Sequence, residues 1–319
     1  VTGAAGFIGS ACSRALVARG DNVVGIDNLN AYYDVALKHE RLRLLSDEPG
    51  FRFTPLDIAD LNAICALIAD VRPDAVLHLA AQAGVRASAD DPYSYIVSNI
   101  IGHSNVLEAL RRHDPAVPLV YASSSSVYGD RAEGPFIETD RIDAPTSFYA
   151  ATKAADEMIT GAFCAASGLA ATGLRFFTVY GPMGRPDMAY WLFGKAMLKG
   201  EPISLYGDGL LRRDFTYIDD IATGIIACID QPATPATHRV YNLGSGSAET
   251  VASMVDALEH HLGCKAERVF VPKPAWDVST THADTNLAMK ELHWTPKVKL
   301  NQGIEQFSRW FKPWYQKQK

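Results

Sequence analysis

Short apolar runs alternate with longer stretches of helical period along most of this chain. Val1-Thr2 reads as the end of a buried strand, and residues 7–18 as a helix with apolar positions at its period. Val23-Val24-Gly25-Ile26 is the next strand, 36–45 an exposed helix and 51–58 a third strand. A helix follows from Asp60; then 75–84 reads as strand four, 98–112 as an amphipathic helix and 117–122 as strand five. Residues 149–167 are helical, and 173–177 form a sixth strand. Beyond them lie a helix at 191–199, short strands at 202–206 and 213–218, and helices at 251–262 and 301–311. Strands and helices in this rhythm predict an α/β fold with a doubly wound parallel sheet. The rhythm loosens past residue 170, so a smaller C-terminal α/β lobe is expected, interleaved with the end of the sheet. The expected division is 1–172, with sheet strands returning from later segments, and 173–319. Only two residues precede Gly3 where a central strand takes about five or six, so a few residues before Val1 are expected.

The first strand runs into Gly3, Gly6 and Gly9, and the helix begins at once with Phe7 and Ile8. A strand, a tight glycine turn and a helix aim free backbone N–H groups at one point, which suits a pyrophosphate. Gly3 allows the tight turn, Gly6 lets phosphates approach the backbone, and Gly9 lets the helix sit close to the strand. The spacing departs by one residue from the usual dinucleotide fingerprint, and glycine turns also cap ordinary helices. Asp27 ends the second strand, where an acid accepts hydrogen bonds from ribose hydroxyls and repels a 2′-phosphate. A Rossmann-type domain holding NAD rather than NADP is therefore expected, with Asn28 beside that acid. Asp57, next to Ile58, either meets the adenine amino group or caps the following helix. The small residues after strand four, with Leu79, Ala80 and Ala81 foremost, suit close approach to the diphosphate and the nicotinamide ribose. The charges of helix 36–45 (Lys38, Arg41 and Arg43) are expected on a solvated face, with contact to the adenosine side as the alternative.

Charge and cysteine content narrow the class. A net charge of −6 and a pI near 5.8 leave no electrostatic footprint for nucleic acid. No run of about 18 apolar residues marks a membrane span, and no secretory signal is visible. The five cysteines are scattered with no CxxC pair, so a reduced cytoplasmic protein without structural zinc or other metal is expected.

Tyr149 and Lys153 lie four apart at the start of a helix, hence on one face. A nearby ammonium and a cationic nicotinamide ring both favour phenolate, so this Tyr can take a proton from a substrate hydroxyl while hydride leaves the same carbon. A hydroxyl from the serine run 123–126, delivered by strand five, can hydrogen-bond that substrate oxygen.

Residues 3–9, Asp27, SSSSVYG at 123–129 and the Tyr149/Lys153 pair resemble the extended short-chain dehydrogenase/reductases that act on nucleotide sugars. Within that family the chain is most similar to the UDP-glucuronate 4-epimerases. DNLNAYY (27–33), HLAAQAGVR (78–86), LRFFTVYGPMGRPDM (174–188) and RDFTYIDD (213–220) carry the likeness. The resemblance implies a bound NAD, a transient 4-keto sugar and epimerisation of UDP-glucuronate to UDP-galacturonate. It implies Tyr149 as the base at the C4 hydroxyl, Lys153 as its aid, and Ser124 as hydroxyl partner. Ser126 stands where relatives carry a Thr or an acid. The split between the two serines stays open. Dehydratases and decarboxylases of this family carry an acid in that stretch, and its absence here favours epimerisation.

A 4-keto hexuronate is a β-keto acid, so its carboxylate must be held out of line for CO2 loss. Ser126, Thr178 and Arg185 are the candidates, against plain loop packing for Thr178 and a surface ion pair for Arg185. Resemblance further implies Arg213 at the diphosphate, unless that Arg is structural, and the backbone of Ser204, Leu205 and Tyr206 at uracil. Pro274-Ala275-Trp276-Asp277-Val278 departs from the usual Gln-Pro-Gly-Asp-Val and puts one nucleotide-sugar contact in doubt. Relatives pair the helices 98–112 and 149–167 into a dimer. Val106, Leu110, Met158 and Phe163 are the expected outer positions, unless they face the sheet.

Overall fold

The computed structural model describes residues 1–131, 134–274 and 277–317. Eleven strands follow in chain order: β1 (Val23–Asp27), β2 (Phe51–Pro55), β3 (Val76–His78), β4 (Leu119–Ser124), β5 (Ala171–Phe176), β6 (Thr178–Tyr180), β7 (Ile203–Tyr206), β8 (Arg212–Tyr217), β9 (His238–Leu243), β10 (Ala248–Thr250) and β11 (Arg268–Val271). Thr2 bridges Ile26 on one side and His78 on the other. The main sheet therefore runs β2, β1, the Thr2 segment, β3, β4, β5, β9, with every neighbour parallel. The chain starts mid-sheet, walks out to β2 and returns to β3 on the far side of Thr2. That reversal makes the carboxyl end of the Thr2 segment the switch point where such sheets bind ligands.

Helices Phe7–Arg19, Val35–Ser46 and Ile218–Asp230 cover one face; Leu61–Val71, His103–His113 and Phe148–Ser167 cover the other. Burial from both sides explains why β4 opens on an unbroken apolar run at 119–122. Gly20 ends the first helix in the left-handed region at φ 101°, while the N–H groups of Gly20 and Asp21 close back on Val17 and Leu16.

Several expectations change. Strand four is short, ending at His78 where 75–84 was expected. Past it the backbone turns to side-chain partners: Ala80 N–H donates to Thr2 Oγ1 and Gln82 N–H to Asn99 Oδ1. β9 had no counterpart in the sequence reading, because His238, Arg239 and Asn242 break its apolar pattern. The helix expected at 98–112 is part of a longer rod, Pro92–Tyr95, a π-helical Ile96–Gly102 and His103–His113. Val106 and Leu110 of this rod are buried against the sheet and are not outer positions, and Phe163 packs partly on the same core. Met158 is exposed, as are Tyr93, Ile96, Ile101 and Phe148. Lys38 and Arg41 are also buried, contrary to a solvated face, because they share the inward stripe of Leu37, Leu42 and Leu45.

The later segments build two small sheets, β10–β8–β6 and β11–β7. Asp214 of β8 is fully buried and ties this region together. Its carboxylate accepts from Ser245 N–H, Gly246 N–H, Ala283 N–H and Thr216 Oγ1. The cysteines are all free. Among the described residues no helix is long and apolar enough to cross a membrane.

Candidate active site

At the switch point the Thr2 segment opens into the glycine turn. Gly3 has φ 71°, and a Cβ there would come within 2.8 Å of the Ala80 amide nitrogen. A Cβ on Gly9 would stand 2.0 Å from the Gly3 carbonyl oxygen. Gly9 therefore lets the helix close on the turn itself, a tighter role than packing against the strand. Gly6 is the helix N-cap, and no side chain satisfies the first-turn N–H groups. This bare, unobstructed helix start fits a pyrophosphate.

Gly3, Gly6, Phe7, Ile8 and Gly9 line a cleft of about 400 Å³ together with Asp27, Asn28, Ile58, Leu79, Ala80 and Ala81. Asp27 is buried at the end of β1, where its Oδ1 accepts from Leu29 N–H at 2.8 Å and from the Lys38 ammonium at 3.4 Å. The capping alternative for Asp57 fails, since Asp60 caps helix Leu61–Val71 through Ala63 N–H. Asp57 instead accepts from Ala59 N–H and from Asn28 Nδ2, and Leu56 and Ile58 line the cleft in its place.

Across the switch point, β4 delivers Ser124 and Ser126 into the same cleft. Ser124 caps the short turn Ser125–Tyr128, and Ser126 Oγ donates to Ser124 Oγ at 2.8 Å. The two hydroxyls form one linked pair. Below them Ser123 is buried against Glu157, which pairs with the buried Arg175 at 2.7 Å. Ser147 caps the helix Phe148–Ser167, and its first turn presents Tyr149 to the cleft beside Lys153. The Lys153 ammonium donates to the Ala122 carbonyl and to Asp156, both at 3.0 Å. Burial pushes Asp156 up to about 6, although the Lys153 charge pulls the other way. Asn99 braces this side: its Nδ2 donates to Gln82 O and Thr152 Oγ1.

The facing wall comes from the later segments. Thr178 opens β6 half-buried in the cleft lining. Arg185 lines it too, gripped by Asp187 at 3.0 and 2.5 Å, and Tyr32 donates to the same carboxylate at 3.2 Å. Burial opposes the Arg185 charge, but Asp187 outweighs it and raises the guanidinium above its ordinary value. Arg213 lines the cleft and pairs with Asp277 at 2.6 Å. Of the departing stretch, Asp277 and Val278 line the cleft, whereas Ala275 and Trp276 lie outside the described residues. Ser204, Leu205 and Tyr206 sit in β7, paired in parallel with β11, and do not line the cleft; Tyr206 Oη accepts from Arg86 at 2.8 Å.

Sequence reasoning passed over Tyr32, Gln82, Asn99, Asp156 and Asp187, and it set Lys38 and Arg41 on a solvated face with the adenosine side as the alternative. For Lys38 and Arg41 a signal was there, the shared stripe with three buried leucines. For Asn99 and Gln82 none was, since their partners lie 17 residues apart along the chain.

Residues 1–244 match the model of the NAD dependent epimerase/dehydratase family. The chain is 47% identical to UDP-glucuronate 4-epimerase 1 of Arabidopsis thaliana, across 99% of this chain and 76% of that protein. Its fold is similar to the crystal structure of UDP-glucuronic acid 4-epimerase from Bacillus cereus in complex with UDP-glucuronic acid and NAD. That match has a TM-score of 0.91 at 34% identity and covers 98% of each chain. UDP-glucose 4-epimerase of Thermotoga maritima with UDP-glucose is also similar, with a TM-score of 0.88 at 30% identity over 98% of each chain. Because the matched residues extend from the glycine turn through the Tyr149 helix to β9, well over half of the chain, the chain belongs to the NAD dependent epimerase/dehydratase family.

Proposed function

We propose that this chain interconverts UDP-glucuronate and UDP-galacturonate, using NAD. The observation that carries the reading is the meeting of Tyr149, Lys153 and the Ser124–Ser126 hydroxyl pair in the cleft that the glycine turn opens. The glycine turn and Asp27 would hold the dinucleotide, and NAD when bound supplies a hydride acceptor and donor at C4 of the sugar. Tyr149 takes the C4 hydroxyl proton and later returns it, with Lys153 on the same helix face. Ser124 hydrogen-bonds the C4 oxygen. Ser126, Thr178 and Arg185 hold the uronate carboxylate, which keeps the 4-keto intermediate from losing CO2. Arg213 meets the diphosphate, and the β7 backbone around Ser204, Leu205 and Tyr206 meets uracil. In this division residues 1–172, with β9, serve the cofactor and the later segments mainly serve the UDP-sugar.

Proton NMR of the purified protein with UDP-glucuronate tests the reading. UDP-galacturonate is expected; a pentose with CO2 would make the chain a decarboxylase, and an unchanged sugar would leave a 4-epimerase of another UDP-hexose or a non-catalytic NAD(H)-binding protein on this fold.

We also assign the exposed apolar side chains Tyr93, Ile96, Ile101, Phe148 and Met158 to a homodimer contact between two copies of these helices. Light scattering that reports a monomer at micromolar concentration would refute it. Five free cysteines support a reducing, cytoplasmic setting.

A further inference from the structure

Arg41 is 1% exposed, and no carboxylate lies within ion-pair distance of it among the described residues. A buried cation without a counter-ion is costly unless its donors are all satisfied. Here they are. A guanidinium has five N–H donors. Nη1 donates to Ala5 O at 3.0 Å and to Tyr33 Oη at 2.5 Å. Nε and Nη2 both donate to Met183 O, at 3.0 and 2.6 Å, and Nη2 also donates to Gly184 O at 3.1 Å. The Tyr33 ring lies beneath, 5.5 Å from the guanidinium carbon.

These acceptors belong to three separate stretches. Ala5 is in the glycine turn, Tyr33 is in the loop after β1, and Met183 and Gly184 directly precede Arg185. Met183 holds φ 61°, a conformation that is unfavourable for a non-glycine residue and persists only where its surroundings impose it. Two N–H groups of Arg41 on the Met183 carbonyl supply that imposition. From the same loop Tyr32 reaches Asp187, the carboxylate that grips Arg185.

We propose that Arg41 is a positioning residue for uronate recognition: it locks the 183–185 backbone onto the glycine turn, so that Arg185 faces the sugar from a fixed distance to the cofactor site. This rests on the reading of Arg185 as the carboxylate partner. Only a planar fork can make all five hydrogen bonds to these four acceptors, so Lys at this position keeps the charge and loses the lock.

The experiment compares binding and turnover of UDP-glucuronate with those of UDP-glucose, which lacks the carboxylate, in the native protein and in Arg41→Lys. The lock predicts that Arg41→Lys raises KM for UDP-glucuronate about tenfold, changes kcat about threefold at most, and narrows the preference over UDP-glucose by about the same tenfold. Tyr33→Phe removes one acceptor from an otherwise intact fork and covers the case in which Arg41→Lys does not fold. It is expected to narrow that preference about two- to threefold. If both nucleotide sugars weaken equally in every variant that folds, Arg41 only supports the fold and the inference is overturned. If the native protein itself shows no preference for the uronate, the Arg185 reading fails instead.

Discussion

The two walls of the cleft are built on opposite plans. The wall from the first 86 residues presents backbone amides and small side chains, such as the uncapped helix start after Gly6 and the Leu79–Ala81 stretch. The facing wall presents cations that already hold partners within the chain: Arg185 on Asp187 and Arg213 on Asp277. A diphosphate reaching the first wall finds donors without competitors. A carboxylate or diphosphate reaching the second must take a cation from an anion already in place. Pairing of this kind keeps a half-buried Arg from being stranded when the site is empty, at some cost in affinity. Preformed geometry thus marks the glycine-turn wall and exchangeable pairing the facing wall.

The largest effect is expected where the walls meet. Tyr149→Phe should lower turnover about 10³-fold while leaving NAD affinity within about twofold, because only the proton acceptor is removed. NMR turnover with calorimetry of NAD binding checks this, and turnover near the native level would remove Tyr149 from its role. Next comes Gly9→Ala, which breaks shape rather than charge. With 2.0 Å between the new Cβ and Gly3 O, the turn must open. NAD affinity should fall about tenfold or more and the melting temperature should drop. Asp277→Asn probes the exchangeable wall and should act in the other direction. Freeing Arg213 from its competitor is expected to tighten UDP binding about threefold by calorimetry; weaker binding would mean that Asp277 orients Arg213 for its ligand.

The smallest effect concerns stability and pH. Burial raises Asp156 from 3.8 to about 6, so the folded chain binds this proton more tightly than the unfolded one. The stability tied to that group is present in full below the unfolded value and is lost as pH rises through about 6. Asp156→Asn removes the loss. Denaturant titrations at ~pH 5 and ~pH 7 should therefore show the stability difference moving in favour of the Asn chain at the higher pH.

The same contrast explains what could be read from the residues alone. Parallel strands buried on both faces announce themselves as apolar runs, and Gly3, Asp27, Tyr149 and Lys153 follow fixed offsets from them. The second wall has no such ruler. β7, β8 and β10 are three to six residues long and belong to separate small sheets, so their partners are set by tertiary contacts. Arg185 and Arg213 could be nominated by resemblance, but their anions, Asp187 and Asp277, could not be assigned from spacing. Burial of charge was the other blind spot. Lys38 and Arg41 share a stripe with buried leucines, but the oxygens that receive them come from as far along the chain as Met183 and Gly184.

The widened coil at Ile96–Gly102 sets how the two halves of its rod face. A rod wound at 3.6 residues per turn advances about 100° with each residue, so one residue fewer would swing one half against the other by that angle. Either Ser98 would leave the cleft and Asn99 the Gln82 backbone, or Val106, Leu107 and Leu110 would leave the core. The extra residue works as a phase shifter, allowing a single rod to keep two appointments that regular winding makes incompatible.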